Sequence, residues 1–141
     1  MELSEAHEFL AQNNTGIATT VGRTGRAQST VVTTVLVDGK VAWISRGATV
    51  KVKNIERTGR ATVTVIKLDT RRYVTVEGQA VVYEWSDTDA VAQVKRLKNV
   101  YIAMGRAPKE TDEEFASTMA EEKRAVIEVM PDRWYGSLTQ R

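Results

Sequence analysis

The sequence predicts a mainly β domain of the α+β class, with about six strands closed into a small barrel, complete or partly split, and helices at its periphery. Stretches rich in β-branched residues recur at short intervals, as in Gly16–Val21, Ala27–Val37 and Lys40–Ser45, and glycine-containing turns separate them. Helical spacing is confined to short segments that are too few to cover both faces of an open sheet, whereas closure removes the edges.

Taken in order, Leu3 to Asn13 reads as an amphipathic helix, with Ser4 as its N-cap, Glu5 in the first turn and Ala6, Phe9 and Leu10 on one face. Gly16–Val21 is the first strand, and Gly22-Arg23-Thr24-Gly25 turns the chain into a long second strand, Ala27–Val37. Asp38-Gly39 is a strong hairpin signal, because a two-residue type I′ turn needs positive φ at both central positions. Lys40–Ser45 returns as the third strand, and after Gly47-Ala48-Thr49 a short helix spans Val50–Thr58 and stops at Gly59. Arg60–Leu68 and Arg71–Tyr83 form another strand pair. Ser86-Asp87 opens a longer helix whose apolar face is Ala90, Val91, Val94, Leu97, Tyr101 and Met104, with Lys95, Arg96 and Lys98 opposite. Thr111 and Glu114 make a capping box for a short acidic helix, and Arg124–Met130 is the last strand, followed by a segment through Gly136. The long second strand is apolar over much of its length, more than one small domain buries on both faces, which suggests contact with a second subunit.

The 141 residues suit one domain, 1–141, with a single core. No apolar run approaches the length of a membrane span, and the acidic, polar start is unlike a signal peptide. The chain has no cysteine, which removes disulfides, thiolate metal sites and cysteine nucleophiles and fits a reducing compartment, the cytoplasm. Twenty Lys+Arg against eighteen Asp+Glu leave a net charge of only +2, too little for the broad basic field of a nucleic-acid partner. The only histidine, His7, reads as a solvated residue of the first helix, so neither a His-based triad nor a zinc site is expected. If the chain is an enzyme, an organic cofactor carries the difficult chemistry.

The informative stretch is Ile44-Ser45-Arg46-Gly47-Ala48-Thr49-Val50-Lys51-Val52-Lys53-Asn54-Ile55, where a strand ends, a loop follows and a helix begins. Backbone N–H groups at a helix start attract anions, and Lys51 and Lys53 add counter-charges while Ser45 and Thr49 add hydroxyl donors. On spacing alone, a solvated lysine face competes evenly with a phosphate site. Residues two apart on a helix diverge, so both lysines meet one phosphate only where the helix begins.

The run Lys51-Val-Lys53-Asn54-Ile55-Glu-Arg-Thr-Gly-Arg60-Ala, together with the Val-Glu77-Gly78 strand and the closing Trp134-Tyr135-Gly136, resembles the pyridoxamine 5′-phosphate oxidase-like superfamily. The resemblance is greatest to the branch that uses the deazaflavin coenzyme F420. It implies a dimeric split barrel of six strands with two cofactor sites at the subunit interface. It implies segments 1–14 (helix), 15–83 (strands, with a cofactor-binding loop and helix at 46–58), 86–121 (helices) and 124–136 (last strand and C-terminal segment). By position it makes Lys51 the leading phosphate ligand, supported by Lys53 and Asn54. Thr49 stands where many relatives have arginine, so one counter-charge is missing. Ser45 and Arg46 would line the ring, and Thr33 would wall its substrate side. Arg71, Tyr73, Trp134 and Tyr135 occupy positions that reach the site from the partner subunit or else pack the dimer. The implied function is F420-dependent hydride transfer to or from a small conjugated molecule in a homodimer, without nucleic acid, membrane or metal. FMN-dependent chemistry on the same fold and a non-catalytic carrier of the cofactor are the alternatives. A pyridoxamine-phosphate oxidase proper would need a further arginine–histidine cluster near the C-terminus, which this sequence lacks.

Overall fold

The computed structural model describes residues 1–86 and 89–139. The elements run α1 (Leu3–Gln12), β1 (Thr15–Val21), β2 (Ala27–Thr33), β3 (Val35–Val37), β4 (Lys40–Arg46), α2 (Val50–Thr58), β5 (Arg60–Lys67), β6 (Arg72–Tyr83), α3 (Ala90–Ala103), α4 (Asp112–Glu121) and β7 (Arg124–Ser137). The strands form one antiparallel sheet of seven in the order β2-β1-β5-β6-β7-β4-β3.

The expected six strands become seven because the long second strand breaks at Thr34. Its backbone N–H leaves the ladder and donates to the Asn14 carbonyl at 2.8 Å, and the residue is buried. Residues before the break pair with β1 and those after it with β4, so one stretch of chain supplies both edges of the sheet. That arrangement curls the sheet into a half-barrel. Its interior holds Ala18, Val41, Trp43, Val63, Val65, Val74, Val76, Ile127 and Val129, closed at the ends by Phe9 and Leu10 of α1 and Val52 and Ile55 of α2. Each fully buried aliphatic side chain there contributes roughly 1.5–3 kcal/mol of hydrophobic free energy. A second apolar cluster lies outside, where Leu97 and Val100 of α3 and Phe115 and Met119 of α4 pack on Val35, Ala42 and Val126.

Several local signals appear as expected. Asp38 and Gly39 both have positive φ and join β3 to β4. Gly59 ends α2 in the left-handed region, and its N–H donates to the Ile55 carbonyl at 2.7 Å. Thr111 Oγ1 accepts from the Glu114 N–H at 3.2 Å, while the Glu114 carboxylate accepts from the Thr111 N–H at 3.4 Å.

Other boundaries differ. α1 starts one residue before Ser4, with Glu2 at the N-cap position, where the Glu5 carboxylate accepts the Glu2 N–H at 3.0 Å. α3 begins after Asp89, whose carboxylate accepts the Ala92 N–H at 2.9 Å; of the expected Ser86-Asp87 start, Asp87 lies outside the described residues. The buried face of α3 is also rotated from the expected one. Val91 is exposed, and Gln93 is wholly buried, donating to the Tyr83 carbonyl at 2.7 Å and the Arg124 carbonyl at 3.3 Å.

β7 does not stop at Met130. It continues through Ser137, and a register shift opposite Glu77 and Gly78 leaves Asp132 as the extra residue, with Pro131 at the bulge, where its missing N–H costs no ladder bond. A Cβ on Gly78 would lie 1.8 Å from the Met130 carbonyl oxygen, so the crossing of β6 and β7 requires glycine there. Among the described residues no helix is long and apolar enough to cross a membrane.

Candidate functional site

A groove of about 530 Å³ opens where the ends of β2 and β4 meet the start of α2. Val31, Val32 and Thr33 form one wall; Ile44, Ser45 and Arg46 form the other; Thr49 and Lys51 close one end, and Tyr101, Met104, Arg106 and Arg124 the opposite side. A volume of this order suits a ligand with a fused ring system.

The end formed by α2 is built to receive an anion. Gly47 anchors the loop by donating its N–H to the Lys123 carbonyl at 2.8 Å, and Ala48 follows with φ of 65°. A non-glycine residue held in that region costs roughly 1–2 kcal/mol. Strain of this kind persists where the surroundings over-determine it. The loop delivers Thr49 as N-cap, and its carbonyl accepts the Lys53 N–H at 3.1 Å. The N–H groups of the first turn have no intrahelical partner and carry the positive end of the helix dipole. Thr49 Oγ1 is buried and has no hydrogen-bond partner among the described residues. Lys51 is partly buried without an ion pair among them, and burial pushes its pKa below the ordinary lysine value. An orphaned hydroxyl, an unpaired half-buried ammonium and open helix N–H groups are together a set of donors with which an anion can pair.

The opposite side adds more positive charge. Arg46 and Arg124 face each other across β4 and β7, a like-charge pair that is unfavourable unless an anion lies near. Glu122 answers one of them. Arg124 Nε donates to its carboxylate at 2.7 Å, and the hydrogen bond and charge of Arg124, with Arg46 behind it, hold the Glu122 carboxyl below its usual range. Lys51 and Arg106 have no ion pair among the described residues, and Glu122 is shared between Arg124 and the more distant Arg46, so the lining of the groove carries more positive than negative charge.

Of the residues singled out from sequence, the groove brings together Thr33, Ser45, Arg46, Thr49 and Lys51. Lys53 is exposed and does not line it. Asn54 is buried beneath the helix, where its Nδ2 donates to Thr20 Oγ1 at 3.1 Å and its Oδ1 accepts from Arg57 at 3.1 Å. Arg57 in turn donates to the Val21 carbonyl, so Asn54 ties α2 to β1 rather than facing the groove. Arg71, Tyr73, Trp134 and Tyr135 are also outside it. Arg71 sits in the β5–β6 turn; Tyr73 and Tyr135 are on the paired strands β6 and β7; Trp134 packs against the barrel interior, and its Nε1 donates to the Met1 carbonyl at 3.2 Å. Sequence reasoning missed Tyr101, Met104, Arg106 and Arg124. Tyr101 and Met104 read simply as the apolar face of a helix, and no local pattern links the two arginines to a loop far upstream.

A seven-stranded half-barrel with a basic groove between β4 and the start of α2 defines a structural class. Within it, the family described as pyridoxamine 5′-phosphate oxidase matches residues 3–137, and the chain belongs to that family. No curated protein matches the sequence. Among solved structures, a conserved hypothetical protein of Mycobacterium tuberculosis is similar at 20% identity and a TM-score of 0.75, covering 96% of this chain and 84% of that one. A structure named F420 Reductase is similar at 18% identity and a TM-score of 0.67, covering 92% and 94%. An FAD-binding protein of Mesorhizobium loti is similar at 12% identity and a TM-score of 0.67, covering 96% and 94%. At such identities the likeness is one of fold.

Proposed function

We propose that the chain is an F420-dependent oxidoreductase acting on a small conjugated molecule as a homodimer. The observation that carries this reading is the anion-receiving end of the groove, where Thr49, Lys51 and the first turn of α2 would hold the coenzyme's phosphate. The structure named F420 Reductase supports the choice of coenzyme. So does the charge of the groove: Arg46 is a cation beyond the Lys51 that one phosphate would use, and an acidic oligoglutamate tail would meet it. Val31, Val32 and Ile44 would flank the ring and keep water from it, and Thr33 would face the reacting side. Bound in reduced form, the deazaflavin would supply a hydride to an acceptor carbon, and the balancing proton would come from a hydroxyl of the lining or from solvent at the open rim of the groove. The protein's contribution is orientation and water exclusion, which agrees with a groove whose lining holds no histidine or carboxylate.

A dimer is supported by an outward row that crosses the sheet from the groove. Val31 pairs with Ile17, Ile17 with Thr64, Thr64 with Thr75 and Thr75 with Tyr135. Val31 is 72% exposed and Tyr135 40%, with Thr75 buried between them, and a second copy that covered these apolar ends would bring its own Tyr73, Tyr135 and Arg71 toward the groove. The FMN reading rests on similar structures named as FMN- and FAD-binding, and the phosphate end would serve either coenzyme.

Parallel titrations with F420, FMN and FAD test the assignment. F420 binding at least ten-fold tighter than FMN is expected; protein that purifies with tightly held FMN would contradict it. Light scattering tests the dimer, which should have about twice the 15.7 kDa chain mass.

A further inference from the structure

The cofactor groove has a neighbour. A second cavity, of about 560 Å³, lies under the loop between α3 and α4, and Tyr101 and Arg106 line both spaces. We infer that this second cavity is the substrate pocket, and that it takes a planar aromatic or conjugated carboxylate whose acid group meets Arg106. The assignment rests on the functional reading above, since it places the acceptor against the ring held in the groove.

The chemistry of the walls selects the ligand. Half-buried Tyr101 provides aromatic surface, and Phe115 and Met119 form an almost wholly buried floor behind it, the Tyr101 and Phe115 rings standing edge to face with centroids 5.9 Å apart. Such surfaces favour a flat ligand ring, by stacking and by sulfur–aromatic contact. Lys98 lies over Phe115, 5.7 Å from its centroid, and pairs with Asp112, which fixes the back of this wall. At the mouth, Lys109 and Glu110 offset each other, so Arg106 supplies the net charge.

Arg106 is placed by the end of the helix. The Gly105 N–H donates to the Ile102 carbonyl at 2.9 Å, and the Arg106 N–H donates to the Tyr101 carbonyl at 2.8 Å, the paired bonds of a Schellman cap. The cap fixes the Arg106 backbone beside Tyr101 on the boundary between the two spaces. Arg106 is exposed and its guanidinium has no hydrogen bond or ion pair among the described residues, so it is free to pair with a carboxylate, which matches a planar guanidinium with two parallel bonds. A ligand held there by its acid group would lay its ring against Tyr101 at one end and meet the groove at the other.

The test uses the full chain with 2-naphthoate and the neutral 2-naphthamide as probes, each titrated in the presence and absence of saturating F420. The expected result is that naphthoate binds alongside F420 and at least ten-fold tighter than the amide. Arg106→Gln should abolish the preference for the acid. Ala107→Trp, which fills the exposed rim of the cavity, should abolish binding of both probes and leave F420 affinity unchanged. One-for-one displacement of naphthoate by F420, or binding that neither variant alters, would overturn the pocket. Failure of the wild-type protein to bind F420 while still binding naphthoate would instead overturn the functional reading, and with it the role of this cavity as a substrate site.

Discussion

The first turn of α2 and the buried face of the same helix lie within one short segment and have opposite characters. On the buried face, Val52 and Ile55 fill the barrel end, and Asn54 satisfies both Thr20 and Arg57. In the first turn, Thr49 has an orphaned hydroxyl and Lys51 an uncompensated charge. The buried face is complete without a ligand, whereas the first turn has donors and no acceptor. A helix can thus anchor itself on one side and leave its start unsatisfied for binding, at some cost in stability.

Substitutions can break this division. The largest effect on stability is expected from Asn54→Ala, which removes the buried bonds from Asn54 to Thr20 and from Arg57 to Asn54, leaving Thr20 only its bond to Gln28 and Arg57 only its bond to the Val21 carbonyl. A loss of roughly 1–3 kcal/mol is predicted from urea unfolding, with cofactor affinity of the folded protein nearly unchanged. A large loss of affinity at full stability would mean that Asn54 is a ligand after all.

Lys51→Met should do the reverse, leaving the melting temperature at neutral pH equal to or above that of the wild type. The sign follows from burial. Because folding lowers the pKa of Lys51, the charged form opposes folding at neutral pH, and this cost fades as pH rises through the lowered pKa toward that of the unfolded chain. Any stability advantage of Lys51→Met should therefore shrink in alkaline melts.

Cofactor affinity should follow the same proton. It should hold steady through neutral pH and decline at a pH below that at which an ordinary lysine loses its charge, and the Lys51→Met protein should not show that decline. The smallest effect is expected from Lys53→Ala. Its ammonium is solvated outside the groove, so affinity should change by less than about 3-fold, in keeping with weak exposed charges.

How much of this was legible in the sequence depended on whether a feature is local. The Asp38-Gly39 hairpin, the Gly59 cap, the Thr111–Glu114 box and the start of α2 are written in a few adjacent residues, and they appear where expected. Thr34 is not distinguishable from its β-branched neighbours. The break shows only where the two halves of the stretch join opposite edges of the sheet, and that is a tertiary event. Gln93 reads as one more polar helix residue until strands β6 and β7 present their carbonyls to it. Within the site, the Lys51 end was legible because strand, loop and helix are consecutive. The opposition of Arg46 and Arg124 exists only in the register of β4 against β7, and Arg106 reaches the groove only because a helix cap turns the chain there.

The central claim is that the start of α2 holds a phosphoryl group through Lys51. Fluorescence titration of F420 against the wild type, Lys51→Ala and Lys53→Ala tests it most directly. Loss of one charge-assisted contact predicts roughly 10- to 100-fold weaker binding for Lys51→Ala and near wild-type binding for Lys53→Ala. Equal affinity for all three proteins would contradict the claim.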